Sequence, residues 1–263
     1  LITLEPNVTD SKEQLTDYDD FQEALADNLI ACGYDDVTAD QMAQLISFCI
    51  AERLPILLPS NEDEIAKCVA ATFDACVSVL NIGSGMHVSD YVSAIKNSNN
   101  KILLVNGAFA GLSTEHFNSI RYNFTNNGII TFFSLDGAEI GTIPKSVYEK
   151  SMILESCYGF TCSSLKELNR YDVHYLVFMK AYNESDFLKQ RKKLNPFVEA
   201  GIISTVAASI YSKFMVDIEC DIHKDWLLLL QLCAQAKASY KIDGLSEWFS
   251  NNNVDIDRLI NYM

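Results

Sequence analysis

Three short apolar runs in this sequence are each followed by residues with polar or very small side chains. In a parallel sheet the carboxyl ends of the strands meet at one edge, and ligands bind there. Hydroxyl and amide groups at such an edge can hold a nucleotide phosphate or another small polar ligand. The positions that follow the runs, and that we treat as candidate site residues, are Ser60, Asn61, Asn106, Gly107 and Ser134.

The elements that would position these residues can be inferred from the apolar patterns. The run 102–105 lies between Lys101 and Gly107 and is typical of a central strand that is covered on both faces. Amphipathic helical patterns separate it from similar runs. We therefore predict an α/β fold with a five-stranded, mostly parallel sheet and helices on both faces. The other four predicted strands lie within 54–58, 76–80, 128–134 and 151–155.

Helix boundaries are indicated by capping residues and by glycine. The first helix carries Phe21, Leu25 and Leu29, and it is predicted to stop at Gly33, because glycine readily adopts the left-handed conformation that ends a helix. The helix after the run 54–58 begins near Ser60 and Asn61. Either side chain can accept a hydrogen bond from the exposed N–H groups of that helix.

The pattern changes near Ser163, where helical signals begin to follow one another, apart from an ambiguous segment 173–179. A four-helix cap is the simplest interpretation. We divide the chain into a loose acidic lead-in over 1–17, an α/β core over 18–162 and a helical, lid-like domain over 163–263. The predicted helices of the last domain include 202–214, 226–233, 245–249 and 256–263.

The order of these parts resembles the AAA+ branch of the P-loop ATPases. The segment 54–58 is similar to the strand before the phosphate loop of that family, and 64–70 is similar to the helix after the loop. The segment 102–105 resembles the strand that ends in the metal-binding acid and the catalytic Glu. The segment 129–134 resembles the strand that carries the polar sensor. The resemblance covers 20–263 and implies an AAA+-like core followed by a helical lid.

The phosphate-binding residues of that family are absent here. A phosphate loop needs glycines, whose N–H groups surround the anion, and a lysine that neutralises it. The connection 59–63 contains neither. Instead Glu62, Asp63 and Glu64 occupy the start of the helix, where they complement its dipole and repel a triphosphate. The loop is therefore degenerate, and Ser60 and Asn61 are vestigial pocket positions.

The catalytic acids are also missing at the matching positions. Asn106 and Gly107 stand where the acid pair would follow the central strand, so neither a carboxylate for Mg²⁺ nor a base for water is present. Ser134 stands at the sensor position. We predict a pseudo-ATPase without catalytic residues and without a bound nucleotide, metal or other cofactor.

Other residues with possible chemistry have simpler alternatives. The segment 83–85, Gly-Ser-Gly, is either a displaced anion loop or a plain turn. Cys157 and Cys162 are either half of a metal site or ordinary loop cysteines, because no second pair has compatible spacing. Either cysteine with His116 or His174 could form a nucleophile and base, although no local motif marks one. The four histidines show no ligand spacing.

The charge distribution limits the partners. The formal net charge is −15, and residues 1–40 contain eleven acids against one base, Lys12. This field repels nucleic acid, and no basic stripe counteracts it, so we expect no direct nucleic-acid binding. The acidic start is either a binding tail for a basic partner or a solvated face.

No secretory segment and no apolar run of spanning length is present, so we expect a cytoplasmic protein without membrane contact.

Three functions remain open from the sequence. The first is a catalytically inactive AAA+-like scaffold that binds a protein partner or itself, as part of a larger complex. The second is an enzyme of another class that binds a small ligand beyond the strand ends. The third is a regulatory component of a nucleic-acid-processing, restriction-type complex that acts through partners.

Overall fold

The computed structural model describes residues 1–83, 85–96, 101–109, 114–135, 138, 142–155, 160, 167–178, 181–218 and 226–252. Contacts divide the chain into two units. The first unit comprises Leu1–Gly137 and Leu154–Met179, and the second comprises Ala138–Ile153 and Lys180–Met263. This division differs from the predicted boundary between 162 and 163, because the segment before Leu154 belongs to the second unit.

The main sheet confirms the predicted α/β class but has six strands instead of five. The strands are β1 Ile2–Leu4, β3 Ile56–Leu58, β4 Val77–Asn81, β5 Ile102–Asn106, β6 Ile130–Ser134 and β7 Met152–Ile153. Their order in the sheet is β1-β4-β5-β6-β3-β7. The pairs β4–β5, β5–β6 and β3–β6 are parallel, whereas β1 is antiparallel to β4.

The core of the sheet follows from its apolar runs. The strand β5 lies between β4 and β6, as expected for the central strand, and its residues Ile102–Val105 are buried. All residues of β3 and β6 are buried as well, including the polar Thr131 and Ser134. Runs without alternation thus form strands that are covered on both faces.

Five helices of the first unit are described. Two of them begin at aspartate caps: Asp17 accepts from the Asp20 N–H, and Asp35 accepts from the Thr38 N–H. The first ends at Gly33, whose φ of 122° lies in the region that favours glycine, so the predicted stop is confirmed. The helices are α1 Tyr18–Cys32, α2 Asp36–Glu52, α3 Glu62–Thr72, α4 Val88–Lys96 and α5 Thr114–Asn123.

The lead-in 1–17 is not loose, because it contains β1 and a second strand, β2 Val8–Leu15. This strand pairs in parallel with β8 Leu168–Val173 and places Lys12 opposite Arg170. Both cations contact the Asp74 carboxylate, at 2.9 Å from the Lys12 Nζ and 3.6 Å from the Arg170 Nη1. The hydrogen bond from Lys12 lowers the pKa of Asp74. A shared carboxylate therefore relieves the repulsion between two adjacent cations.

The second unit is mainly helical. The helix α7 Glu184–Glu199, which the sequence analysis did not predict, begins at Asn183, whose side chain accepts from two N–H groups of the first turn. In the first unit, the ambiguous segment 173–179 has only Val173 in a strand, a 3-10 turn follows at Tyr175–Phe178, and residue 179 lies outside the described residues. The predicted helix at 256–263 lies outside the described residues. The remaining helices are α6 Lys145–Tyr148, α8 Thr205–Asp217, α9 Trp226–Ala238 and α10 Ile242–Asn251.

Among the helices in the described part of the chain, none combines the length and the apolar content that crossing a membrane requires.

A buried amide links three elements of the first unit. The Asn28 Nδ2 donates to the Thr72 Oγ1 at 3.0 Å and to the Asn169 carbonyl at 2.8 Å, and the Asn28 Oδ1 accepts from the Asn169 N–H at 2.7 Å. Asn28 is fully buried. It therefore satisfies the buried Thr72 hydroxyl of α3 and the backbone of Asn169 in β8, and both partners satisfy its own buried amide.

Replacing Asn28 with leucine is expected to lower the free energy of unfolding by about 2–3 kcal/mol, because the buried Thr72 hydroxyl and the backbone N–H and carbonyl of Asn169 lose their partner. Urea unfolding followed by far-UV circular dichroism measures this loss. Asn118→Leu is the matched control, since Asn118 is exposed on α5 and its change should stay within about 0.5 kcal/mol. Equal effects of the two substitutions would contradict the assigned role.

Candidate functional site

Four parallel strands end in one row of residues at the carboxyl edge of the main sheet. Asn81 at the end of β4 pairs with Asn106 at the end of β5, and Leu58 at the end of β3 pairs with Ser134 at the end of β6. The pairing of β5 with β6 continues the row from Asn106 to Ser134. We call Asn81, Asn106, Ser134 and Leu58 the strand-end row. The candidate positions Asn106 and Ser134 thus lie on one edge, as the sequence predicts.

The two asparagines of the strand-end row bind one another. The Asn106 Nδ2 donates to the Asn81 Oδ1 at 3.0 Å. Asn81 is exposed and Asn106 is half-buried. Neither amide can serve as a general base or as a phosphate-neutralising cation, because a carboxamide does not ionise near neutral pH. Asn81 was not among the candidate site residues of the sequence analysis, and the strand register identifies it as the partner of Asn106.

Gly107 lets the loop after β4 pass close over the end of β5. Its φ is +77°, and a Cβ built on it would lie 2.3 Å from the Ile82 carbonyl oxygen. The Ile82 N–H donates to the Asn106 carbonyl at 2.8 Å. Gly107 stands where the resemblance would place a catalytic acid, and here it serves the close approach of two backbone segments.

Asn61, one of the two predicted caps of α3, does not cap that helix. Asn61 adopts the left-handed conformation, with φ 54° and ψ 32°, and its side chain makes no capping hydrogen bond to α3. Its Nδ2 donates instead to the Tyr34 hydroxyl at 3.2 Å. The predicted cap by Asn61 is therefore wrong, because a left-handed Asn61 directs its amide away from the helix N–H groups. Ser60, the neighbouring candidate, is half-buried in the same turn.

The strand-end row meets the start of α3 at one short contact. The Ser134 Oγ donates to the Glu62 Oε1 at 2.6 Å. Ser134 is only 3% exposed and Glu62 is half-buried. A hydrogen bond from a hydroxyl to a carboxylate is among the stronger neutral-to-charged contacts. The structure thus brings Ser134, at the predicted sensor position, into contact with the carboxylate of Glu62, which lies in the predicted phosphate-loop segment.

The electrostatics of this site oppose an anion. The first turn of α3 carries Glu62, Asp63 and Glu64, and these carboxylates complement the positive end of the helix dipole. The strand-end row contributes only neutral side chains. Within the row and the turn 59–64, the charged groups are therefore all negative. The arrangement can accept hydrogen bonds and can repel phosphate, but it contains no cation to hold one.

The other candidates of the sequence analysis do not join this site. His116 Nδ1 lies 3.0 Å from the Tyr91 hydroxyl, between α4 and α5, and the His87 N–H donates to Asp90. Among the residues that the structure describes, no group of three or more His, Cys, Asp and Glu side chains could hold a metal ion. Several candidates fall outside the described residues: Ser84 of the glycine-rich turn, Cys157, Cys162 and His223.

No protein-family model matches this chain, and the search of curated proteins finds no match to its sequence.

Proposed function

We propose that this chain is a catalytically inactive, AAA+-like scaffold or interaction module that works in a larger complex without binding nucleotide. The observation that carries the proposal is the hydrogen bond between Ser134 and Glu62 at 2.6 Å. It joins the two positions that the resemblance assigns to the polar sensor and to the phosphate loop. The Glu62 carboxylate thus occupies the hydrogen-bonding hydroxyl of Ser134 and adds a negative charge that repels a phosphate at this point.

The sheet order supports the same proposal. The strand β3, which precedes the degenerate loop, lies next to β6, which carries Ser134. The segments that the resemblance assigns to the strand before the phosphate loop and to the sensor strand are therefore neighbours in the sheet. A fold that keeps this arrangement while its loop is acidic retains surfaces for assembly but not the chemistry of hydrolysis.

The partner is proposed to be a protein or a second copy of the chain, in the cytoplasm. The cysteines Cys32, Cys49, Cys68, Cys76 and Cys233 are free thiols, which agrees with a reducing compartment. The acidic composition disfavours direct contact with nucleic acid. Assembly through protein surfaces is therefore the simplest role for a chain of this composition and fold.

Calorimetric titration with ATP, ADP and GTP in the presence of Mg²⁺ is expected to give only heats of dilution, because the site lacks a cation and carries three acids. Sedimentation velocity at several protein concentrations should give the same assembly state with and without Mg²⁺-ATP. Micromolar nucleotide binding with turnover would reject the proposal.

A matched variant isolates the role of the acid at the contact. Glu62→Gln removes one charge but keeps an acceptor for the Ser134 hydroxyl, so the fold should be retained. We expect no nucleotide turnover from this variant, since the strand-end row supplies no carboxylate for Mg²⁺ or for water. Turnover by Glu62→Gln would show that a functional catalytic site exists and that the scaffold proposal is wrong.

A further inference from the structure

Two cysteines face each other where α1 packs on α3. The Asn28 amide of α1 donates to the Thr72 hydroxyl of α3 at 3.0 Å, and the Cys68 thiol contacts the Asn28 carbonyl at 3.5 Å. Cys32 lies one turn after Asn28, and Cys68 lies one turn before Thr72. Residues four apart share a helix face, so this antiparallel packing places Cys32 beside Cys68.

The two thiols differ in their environments. The neighbouring Cys68 side chain lowers the pKa of Cys32, although partial burial and the nearby Glu64 act in the opposite direction. The neighbouring Cys32 side chain, together with complete burial, raises the pKa of Cys68. Cys32 is 8% exposed at the end of α1, whereas Cys68 is 0% exposed. A reactive cysteine pair needs an attacking thiolate and a second thiol that resolves the product. We assign the first role to Cys32 and the second to Cys68.

We propose that Cys32 and Cys68 form a redox modification site that a hydroperoxide converts reversibly into an intramolecular disulfide. The Cys32 thiolate attacks the terminal OH oxygen of the hydroperoxide, the O–O bond breaks, and hydroxide (from hydrogen peroxide) or alkoxide (from an organic hydroperoxide) leaves, so that Cys32 becomes a sulfenic acid. The Cys68 thiol then attacks the Cys32 sulfur and forms the S–S bond. The sulfenic oxygen leaves as water with the thiol proton. The two thiols lose two electrons, and the peroxide gains them.

The consequence of this reaction is a covalent link between α1 and α3. Cys68 lies in the helix that begins at Glu62, whose carboxylate holds Ser134. The disulfide would fix α1 against this helix, and a dithiol reductant would release it. The inference does not depend on the scaffold function, because it rests only on the packing of the two helices.

The chain contains internal controls for the reaction. Cys49 and Cys233 are fully buried, and burial raises the pKa of both thiols, that of Cys233 to about 12. Both should therefore remain reduced when Cys32 reacts. Cys76 is partly exposed and reports on unspecific oxidation of an accessible thiol.

The test is oxidation of the folded chain with hydrogen peroxide, removal of the peroxide with catalase, alkylation during unfolding, and proteolysis without reduction. Mass spectrometry is expected to find a peptide linked through Cys32 and Cys68, lighter than its two parts by two hydrogen atoms and absent after dithiothreitol. Cys49 and Cys233 should be recovered alkylated. Recovery of Cys32 and Cys68 as thiols in the same yield as Cys49 would overturn the proposal, and so would a link from Cys32 to Cys76.

Single variants separate the two roles. In Cys68→Ala the reaction should stop at the sulfenic acid of Cys32, which dimedone labels, whereas Cys32→Ala should leave Cys68 unlabelled. Labelling of Cys68 in Cys32→Ala, or no labelling of Cys32 in folded Cys68→Ala, would contradict the assigned order of attack. If either variant does not fold, the peptide map of the unaltered chain still decides whether the disulfide forms.

Discussion

Replacing Gly107 with alanine is expected to lower the free energy of unfolding by about 2–5 kcal/mol, since two costs add at this position. The left-handed backbone costs roughly 1–2 kcal/mol for a residue with a Cβ. The new Cβ would also lie 2.3 Å from the Ile82 carbonyl oxygen, and overpacking costs roughly 1–3 kcal/mol. The oxygen belongs to the backbone, so it cannot rotate away. Urea unfolding by far-UV circular dichroism measures the total.

Gly128→Ala is the matched control for this substitution. Gly128 has a similar φ, +89°, but nothing lies within 4 Å of its added Cβ. The free energy of unfolding of Gly128→Ala should therefore fall only by the cost of the left-handed backbone, about 1–2 kcal/mol. The difference between the two variants measures the close approach of the loop after β4 to the end of β5. If the two losses are equal, that approach does not constrain the strand-end row. Hydrogen exchange at β4 and β5 should rise more in Gly107→Ala than in Gly128→Ala.

Replacing Gln231 with leucine is expected to destabilise the second unit by about 3–5 kcal/mol, because two buried backbone groups lose their partner. The Gln231 Nε2 donates to the Ile153 carbonyl at 2.8 Å, and its Oε1 accepts from the Ile153 N–H at 2.8 Å. Gln231 is 2% exposed and Ile153 is fully buried. The side chain thus pairs with the backbone of β7 as another strand would.

Tryptophan fluorescence is the suitable measurement, because both tryptophans of the chain, Trp226 and Trp248, belong to the second unit. Urea unfolding followed by this signal reports on the unit that contains Gln231. Gln41→Leu is the control, since Gln41 is exposed on α2 and its replacement should change stability by less than about 0.5 kcal/mol. A change below about 1 kcal/mol for Gln231→Leu would mean that water or another group satisfies Ile153 in its place.

Local sequence predicts some features of the candidate site and not others. The positions Asn106 and Ser134 were predicted from apolar runs, because a run without alternation forms a buried strand and the next polar residue marks its end. The role of Glu62 was predicted only as repulsion at a helix start. Its contact with Ser134 joins residues 72 apart in the chain, and no local pattern indicates a pairing over that distance.

The predictions for the segment of β2 and for Asn61 failed for the same reason, a contact with a distant segment. The strand β2 is polar and largely exposed, so its sequence shows no apolar alternation, and it forms because β8 offers a parallel partner about 160 residues away. Asn61 was expected to cap α3 because asparagine is a good cap, but the contact with Tyr34 and the left-handed backbone direct its amide elsewhere. In both cases a distant partner overrode a local preference.

The sequence alone determined the α/β class, the central position of β5 and the absence of a glycine and lysine phosphate loop, because burial pattern and side-chain chemistry are local properties. The tertiary structure decided the strand order, the Ser134–Glu62 contact and the pairing of Gln231 with β7. These features depend on which distant segments lie side by side. That choice is made by packing and hydrogen bonding over the whole chain, and a single segment does not encode it.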